Sequence, residues 1–178
     1  GSNIIGNNIT SNRSGISLLD SDNNTIEENS IEGNSLCGIS LYGSSNTKAR
    51  NNTLRNNKYN LLIHGGFIHD IDASNTVNGK PIYYLVNEIN RTVPDNAGYV
   101  ALVNCVNITV KNLDLTNNGQ GILLAYTANS TVTENSIRNC WDGILICSSS
   151  GNSISRNNIT YNRQSGWASG IKLLYYSY

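Results

Sequence analysis

Methionine is absent from this chain of 178 residues, histidine and proline occur only twice each, and charged side chains make up only 13% of it. With no thioether and two imidazoles, the chain has few ligands for a soft or borderline transition metal. Lys and Arg number 12 and Asp and Glu 12, so no basic footprint points to nucleic acid or to an anionic membrane surface. No run of 18 apolar residues and no charged-then-apolar leader occurs in it, so no membrane span is expected within this segment. Pro81 and Pro94 fall close together, and the rest of the chain carries no proline to interrupt a strand or helix.

What the chain has instead is a repeat. Asn7 to Leu18 reads NNITSNRSGISL and returns around Ile31, Leu54, Leu115, Ile137 and Ile159, each time as an apolar residue, an Asn, then a motif like Gly-Ile-x-Leu. Ile9 to Ile31 is 22 residues, Ile31 to Leu54 is 23, and Leu115 to Ile137 and Ile137 to Ile159 are 22 each. A fixed period of this size means a solenoid, either a leucine-rich repeat or a parallel β-helix. Between the Gly and Asn positions lie short β-rich alternations such as ISL, ITV and STV, with no helical return leg. The fold class is therefore all-β, a right-handed single-stranded parallel β-helix of about 8 coils of 22–23 residues, with irregular coils around 65–98.

Each coil is predicted to hold three short strands. Ile4, Ile26, Ala49, Val110, Val132 and Ile154 mark the first, Ile9, Ile31, Leu54, Leu115, Ile137 and Ile159 the second, and Gly-Ile-x-Leu the third. Side chains alternate along a strand, so Ile16 with Leu18, Ile122 with Leu124 and Ile144 with Ile146 point inward together and stack into one continuous core. Asn12, Asn34, Asn57, Asn118 and Asn162 share a turn phase where an amide bonds its own turn and the neighbouring coil. Gly15, Gly38, Gly121 and Gly143 share another, and Asn60 in their place suggests a left-handed residue there. Glu27 with Arg50, Glu32 with Arg55 and Glu134 with Arg156 are expected side by side, contributing about 0–1 kcal/mol each. Asn87 to Ala97, around Pro94, reads as a protruding loop. The interval Arg163 to Ser169 reads as a bulge with Trp167 at its tip. Cys37, Cys105, Cys140 and Cys147 fall at different phases and fit no metal motif, and Cys37 and Cys140 lie several coils apart, so buried free thiols are expected.

Three clusters carry candidate chemistry. Asp70 and Asp72 share one strand face beside His69. Such a cluster satisfies turn amides, holds Ca²⁺ with a carbonyl, or does acid/base work on a glycosidic bond as catalytic residues. Trp141 and Trp167, with Tyr161 nearby, offer flat apolar platforms for carbohydrate binding or serve as corner packing. Outward positions beside the Gly-Ile-x-Leu anchors are Ser17, Ser40, Leu62, Leu123, Leu145 and Lys172. That face has little with which to move protons, so the segment is not expected to be a complete enzyme, and Leu62, Leu123 and Leu145 form a candidate interface patch. Among eight Asn-x-Ser/Thr sequons, Asn90 in the predicted loop is the best glycosylation candidate.

The NxI…N…GI.L repeats resemble the NosD-like, or CASH, group of right-handed β-helix repeat domains, named for carbohydrate-binding proteins and sugar hydrolases. The stretches HDIDASNTVNGKPIYYLV and NAGYVALVNCVNITVKNLDLTNNGQGILL resemble the version found in large archaeal cell-surface proteins. The resemblance implies an extracellular, modular protein and supplies no catalytic motif. Residues 1–178 are accordingly expected to form a single parallel β-helix domain, an excerpt of a longer protein with adjoining domains. It is read as a structural and adhesive module at the cell surface that binds polysaccharide, with no cofactor. The alternative is a fragment of a polysaccharide hydrolase or lyase using Asp70, Asp72 and His69. The copper delivery implied by the NosD name finds no Met and only two His.

Overall fold

The computed structural model describes residues 1–162 and 168–175, and these form a right-handed parallel β-solenoid without helices. The predicted bulge and Trp167 lie outside the described residues, apart from its last positions. Three complete coils open the chain: β1 (Asn3–Ile5), β2 (Asn8–Thr10) and β3 (Ser14–Leu19); β4 (Thr25–Glu27), β5 (Ser30–Glu32) and β6 (Cys37–Tyr42); β7 (Lys48–Arg50), β8 (Thr53–Arg55) and β9 (Tyr59–His64). Two short strands follow, β10 (Asp70–Ile71) and β11 (Thr76–Val77), then β12 (Lys80–Val86) and β13 (Ile89–Thr92). Three more complete coils are β14 (Tyr99–Val103), β15 (Val106–Lys111) and β16 (Asp114–Thr116); β17 (Gln120–Ala125), β18 (Thr131–Thr133) and β19 (Ser136–Arg138); β20 (Asp142–Cys147), β21 (Ser153–Ser155) and β22 (Asn158–Thr160). β23 (Ile171–Leu174) is the last strand among the described residues.

The period sets the register. Ile9, Ile31, Leu54 and Val77 are successive partners, as are Ile16, Ile39 and Leu61, and Ile122, Ile144 and Ile171. Ile31, Leu54, Ile122 and Ile144 are fully buried, each burial contributing about 1.5–3 kcal/mol.

Between these columns run amide ladders. The backbone N–H of Asn7 donates to Asn29 Oδ1 at 3.0 Å, that of Asn29 to Asn52 Oδ1 at 3.0 Å and that of Asn52 to Asn75 Oδ1 at 3.1 Å. Asn12, Asn34 and Asn57 repeat the pattern at the next corner, and Asn135 and Asn157 in the later coils. The residue before each of these ladder positions except Asn75 turns left-handed, and among the described residues 13 of the 21 non-glycine residues with positive φ are Asn, the side chain that tolerates this region best after Gly. The predicted positive φ at Gly15, Gly38, Gly121 and Gly143 is not found. Those glycines are required by close approach instead: a Cβ on Gly143 would lie 2.4 Å from the Gly170 carbonyl oxygen and 2.6 Å from Ile159 Cγ2.

The ion pairs Arg55–Glu32 and Arg156–Glu134 form at 2.8 and 3.5 Å, as the period predicts. Glu27 instead takes Lys48 at 2.8 Å, and Arg50, its register neighbour, turns to Asp70 and Asp72.

The irregular interval holds the feature that shapes the molecule. Asn78 and Gly79 both have positive φ, 50° and 80°, which is the geometry of a two-residue hairpin turn. Through it β11 pairs with β12 antiparallel, Thr76 opposite Pro81, whereas every other named pair is parallel. One sheet of nine strands, β2-β5-β8-β11-β12-β14-β17-β20-β23, therefore reverses direction in its middle. When strand direction reverses and the coils keep their hand, the interior must move to the sheet's other face. Two buried clusters result. Ile26, Leu54, Ile63 and Val77 belong to the first, and Val100, Leu102, Ile122 and Ile144 to the second.

The single continuous core expected from the repeat is thus two cores back to back. The outer face of β12, β14, β17 and β20 closes on the first one: Tyr84, Ala101, Leu123 and Leu145 belong to the same cluster as Ile63, Ile71 and Val77. Leu123 and Leu145 are 0% and 1% exposed, so the leucine patch expected at the surface is largely an internal joint. At that joint Gly119 donates its N–H to the Leu61 carbonyl, and a Cβ on it would stand 2.5 Å from Leu62 Cα. The Gln120 side chain imitates a backbone rung, accepting from the Ile63 N–H and donating to the Ile63 carbonyl.

Asn52 is fully buried with both its amide ends engaged, whereas Asn12 is exposed at the start of its ladder. Asn52→Ala is expected to destabilise the protein by about 2–3 kcal/mol and Asn12→Ala by less than about 1 kcal/mol, compared by urea unfolding.

Candidate functional site

The reversal leaves a re-entrant corner where β9 abuts the start of β17. The outer faces of β6 and β9 form one wall, and the first residues of β17 and β20, Gln120 and Asp142, with the outer face of β23 form the other, enclosing a groove of about 520 Å³. On the first wall Tyr42 and His64, register partners one coil apart, stack at 4.7 Å between ring centres and 22° between planes. Leu62 lies beside them and Leu174 opposite. Trp141 closes one side, half-buried, its ring packed edge-on against Tyr59 at 5.7 Å.

One ion pair lies in this groove. Lys172 Nζ sits 2.8 Å from Asp142 Oδ1 and 2.9 Å from Oδ2, and Asp142 Oδ1 also accepts the Ser169 N–H at 2.8 Å. Their side chains are 20% and 5% exposed. Lys172 continues the column Leu123, Leu145 on the outer face, and there the carboxylate of Asp142 meets it. Burial lowers the pKa of His64, Lys172 lowers it further, and Asp142 opposes the shift, so the imidazole is neutral at pH 7. The groove thus pairs aromatic faces with a polar but internally neutralised floor.

Of the predicted sugar-binding residues, Trp141 lines this groove. Tyr161 is 71% exposed on a separate depression with Thr160 and Gly170, and Trp167 lies outside the described residues. Sequence reasoning placed Lys172 outward but missed Tyr42, His64 and Asp142. A carboxylate directly before Gly143, where the other coils carry Ser14, Cys37, Tyr59 and Gln120, was the available signal for Asp142.

The predicted catalytic residues are placed differently. Asp70 lies on β10 and Asp72 just past its end, both exposed, and both bind one guanidinium: Arg50 Nη2 to Asp70 Oδ1 at 2.6 Å and Nε to Asp72 Oδ2 at 3.0 Å. Arg50 Nη1 also donates to the Asp70 carbonyl, so the cation expected between these carboxylates is already supplied by the protein. His69 faces the other way. It is 4% exposed, its Nδ1 accepts the Thr47 N–H at 3.2 Å, and its ring meets Tyr84 edge-on. Burial pushes its pKa down to about 4, against the pull of the Gly66 backbone.

Asn90 is exposed, but the predicted loop around it contains β13, which pairs with β15, and Asn90 Oδ1 accepts from Asn107 Nδ2 at 2.7 Å.

Two family models match the chain. The first, described as a right handed beta helix region, covers residues 1–84, and the second, described as periplasmic copper-binding protein (NosD), covers residues 85–177. Their boundary falls within β12, where Tyr84 belongs to the first buried cluster and Leu85 to the second. No curated protein matches the sequence. No helix among the described residues is long and apolar enough to cross a membrane.

The donor set does not fit copper. Among the described residues no three His, Cys, Asp or Glu side chains are grouped to hold a metal, and the two histidines line different depressions. All four cysteines are free and buried, and burial pushes Cys37 to about 11 and Cys140 and Cys147 to about 12, so their thiols stay protonated.

Copper titration in competition with a chelator is therefore expected to show no stoichiometric site. Stability should fall as pH drops from the ordinary histidine value of 6.5 toward about 4, because the unfolded chain takes up a proton that buried His69 refuses. His69→Leu should flatten that part of the profile in urea unfolding series run at each pH.

Proposed function

The chain belongs to the NosD family of β-helix proteins, whose model covers just over half of it, and on that premise we propose that it is a structural module outside the cytoplasm that binds polysaccharide in the corner groove. The family's description as periplasmic supports the location. It is the arrangement of Tyr42, His64 and Trp141 around one groove that carries the ligand class. Sugar rings present an apolar C–H face and a rim of hydroxyls, which suits aromatic faces beside fixed polar groups. A volume of about 520 Å³ accommodates a few sugar units of a chain passing through the open ends of the corner. The solenoid contributes rigidity: both walls are backbone sheet, so the rings are held in place before a ligand arrives.

Binding to a glycan array is expected for the wild type. Tyr42→Ala and Trp141→Ala should each weaken it at least about tenfold, or about 1.4 kcal/mol, and Tyr42, 49% exposed, can be removed with little effect on stability. Equal signals from wild type and both variants would remove the sugar-binding part of the reading.

A further inference from the structure

We infer that the Asp142–Lys172 pair makes the groove selective for neutral saccharides over uronate polymers, an inference that rests on the groove being a saccharide site. The cation a uronate carboxylate would seek is Lys172, the one Lys or Arg lining the groove among the described residues. It is already engaged, with Nζ within 2.9 Å of both Asp142 oxygens. Asp142 in turn is anchored by the Ser169 N–H and is 4% exposed, so it cannot swing aside to release the ammonium. A carboxylate entering the groove would leave water to meet a cation whose charge is cancelled and a carboxylate that repels it. A hydroxyl incurs neither cost. The ammonium has three donors, so one remains beyond the two directed at Asp142 for a sugar oxygen. The Asp142 oxygens keep lone pairs for a hydroxyl donor, and Gln120 presents a further amide hydrogen beyond the one bonded to Ile63.

The residue that sets this preference is Asp142. Its replacement by Asn keeps an oxygen for the Ser169 N–H and removes the charge, leaving the Lys172 ammonium without a counterion in the groove. Asp142→Asn should therefore gain affinity for anionic sugars while the aromatic contacts stay in place.

The test is calorimetric titration of the wild-type chain with a neutral β-glucan hexamer and with hexagalacturonate at the same ionic strength. The wild type is expected to bind the neutral hexamer at least tenfold more tightly, and Asp142→Asn to narrow that ratio at least tenfold. Hexagalacturonate binding as tightly as the glucan, or a variant that folds and keeps the wild-type ratio, would overturn the inference while leaving the saccharide site standing. Absence of binding for both hexamers would overturn the saccharide reading itself and this inference with it. The wild-type comparison stands whether or not the variant folds.

Discussion

Most coils among the described residues are held to the next by a side chain, usually asparagine, that reaches along the solenoid axis to the backbone N–H at the same corner of the preceding coil. A tight left-handed corner prevents some of its own backbone donors from joining a sheet ladder, and buried donors without partners are costly. The amide column supplies acceptors at the one place where the sheets cannot. Such columns run Asn7-Asn29-Asn52-Asn75 and Asn12-Asn34-Asn57, with Ser, Thr and Asn sharing the role in later coils at Thr127, Ser130 and Asn152. The aliphatic columns then contribute burial, but it is the amide columns that set the period at 22 or 23 residues. An extra residue at a corner moves the amide out of line.

The reversal at Asn78-Gly79 is the one departure from this monotony among the described residues, and the corner groove descends from it. A solenoid that continued straight would present long, flat outer faces. Turning the sheet's direction with the hand preserved transfers the interior to the opposite face, and the second stack lays its outer sheet across the end of the first. The joint requires glycine at 119, where the Leu62 backbone comes too close for a side chain, and the Gln120 amide to satisfy the edge of β9. It also makes a concave corner, which an uninterrupted solenoid lacks. The two matching family models meet inside the same strand, β12.

The corner sets aromatic side chains beside polar groups that are already satisfied. Tyr42 and His64 are held on strands and Trp141 at the corner before β20, the one ion pair there among the described residues is closed on itself, and the imidazole is kept neutral by burial and by Lys172. The acidic cluster elsewhere is likewise satisfied internally, with Arg50 holding Asp70 and Asp72 against the end of their sheet while His69 fills the interior behind them. The cysteines, protonated and buried, belong to the packing.

Local rules and a fixed period were enough to read the fold class, the inward columns such as Ile9-Ile31-Leu54 and Ile122-Ile144, the amide ladders and two of the three ion pairs directly from the sequence, because in a solenoid each residue's neighbours lie one repeat away along the chain. Trp141 was legible for the same reason, as a large aromatic at a corner. The glycine phase was legible as a constraint but not in kind, since pattern alone does not separate a left-handed residue from one pressed against the next coil. What the tertiary structure alone decided was everything that joins residues more than one repeat apart: the second interior, the burial of Leu123 and Leu145, and the meeting of Tyr42 and His64 with Asp142 and Lys172. Those contacts depend on which face of a shared sheet becomes the inside after a single hairpin, and side-chain alternation reads the same whichever face that is.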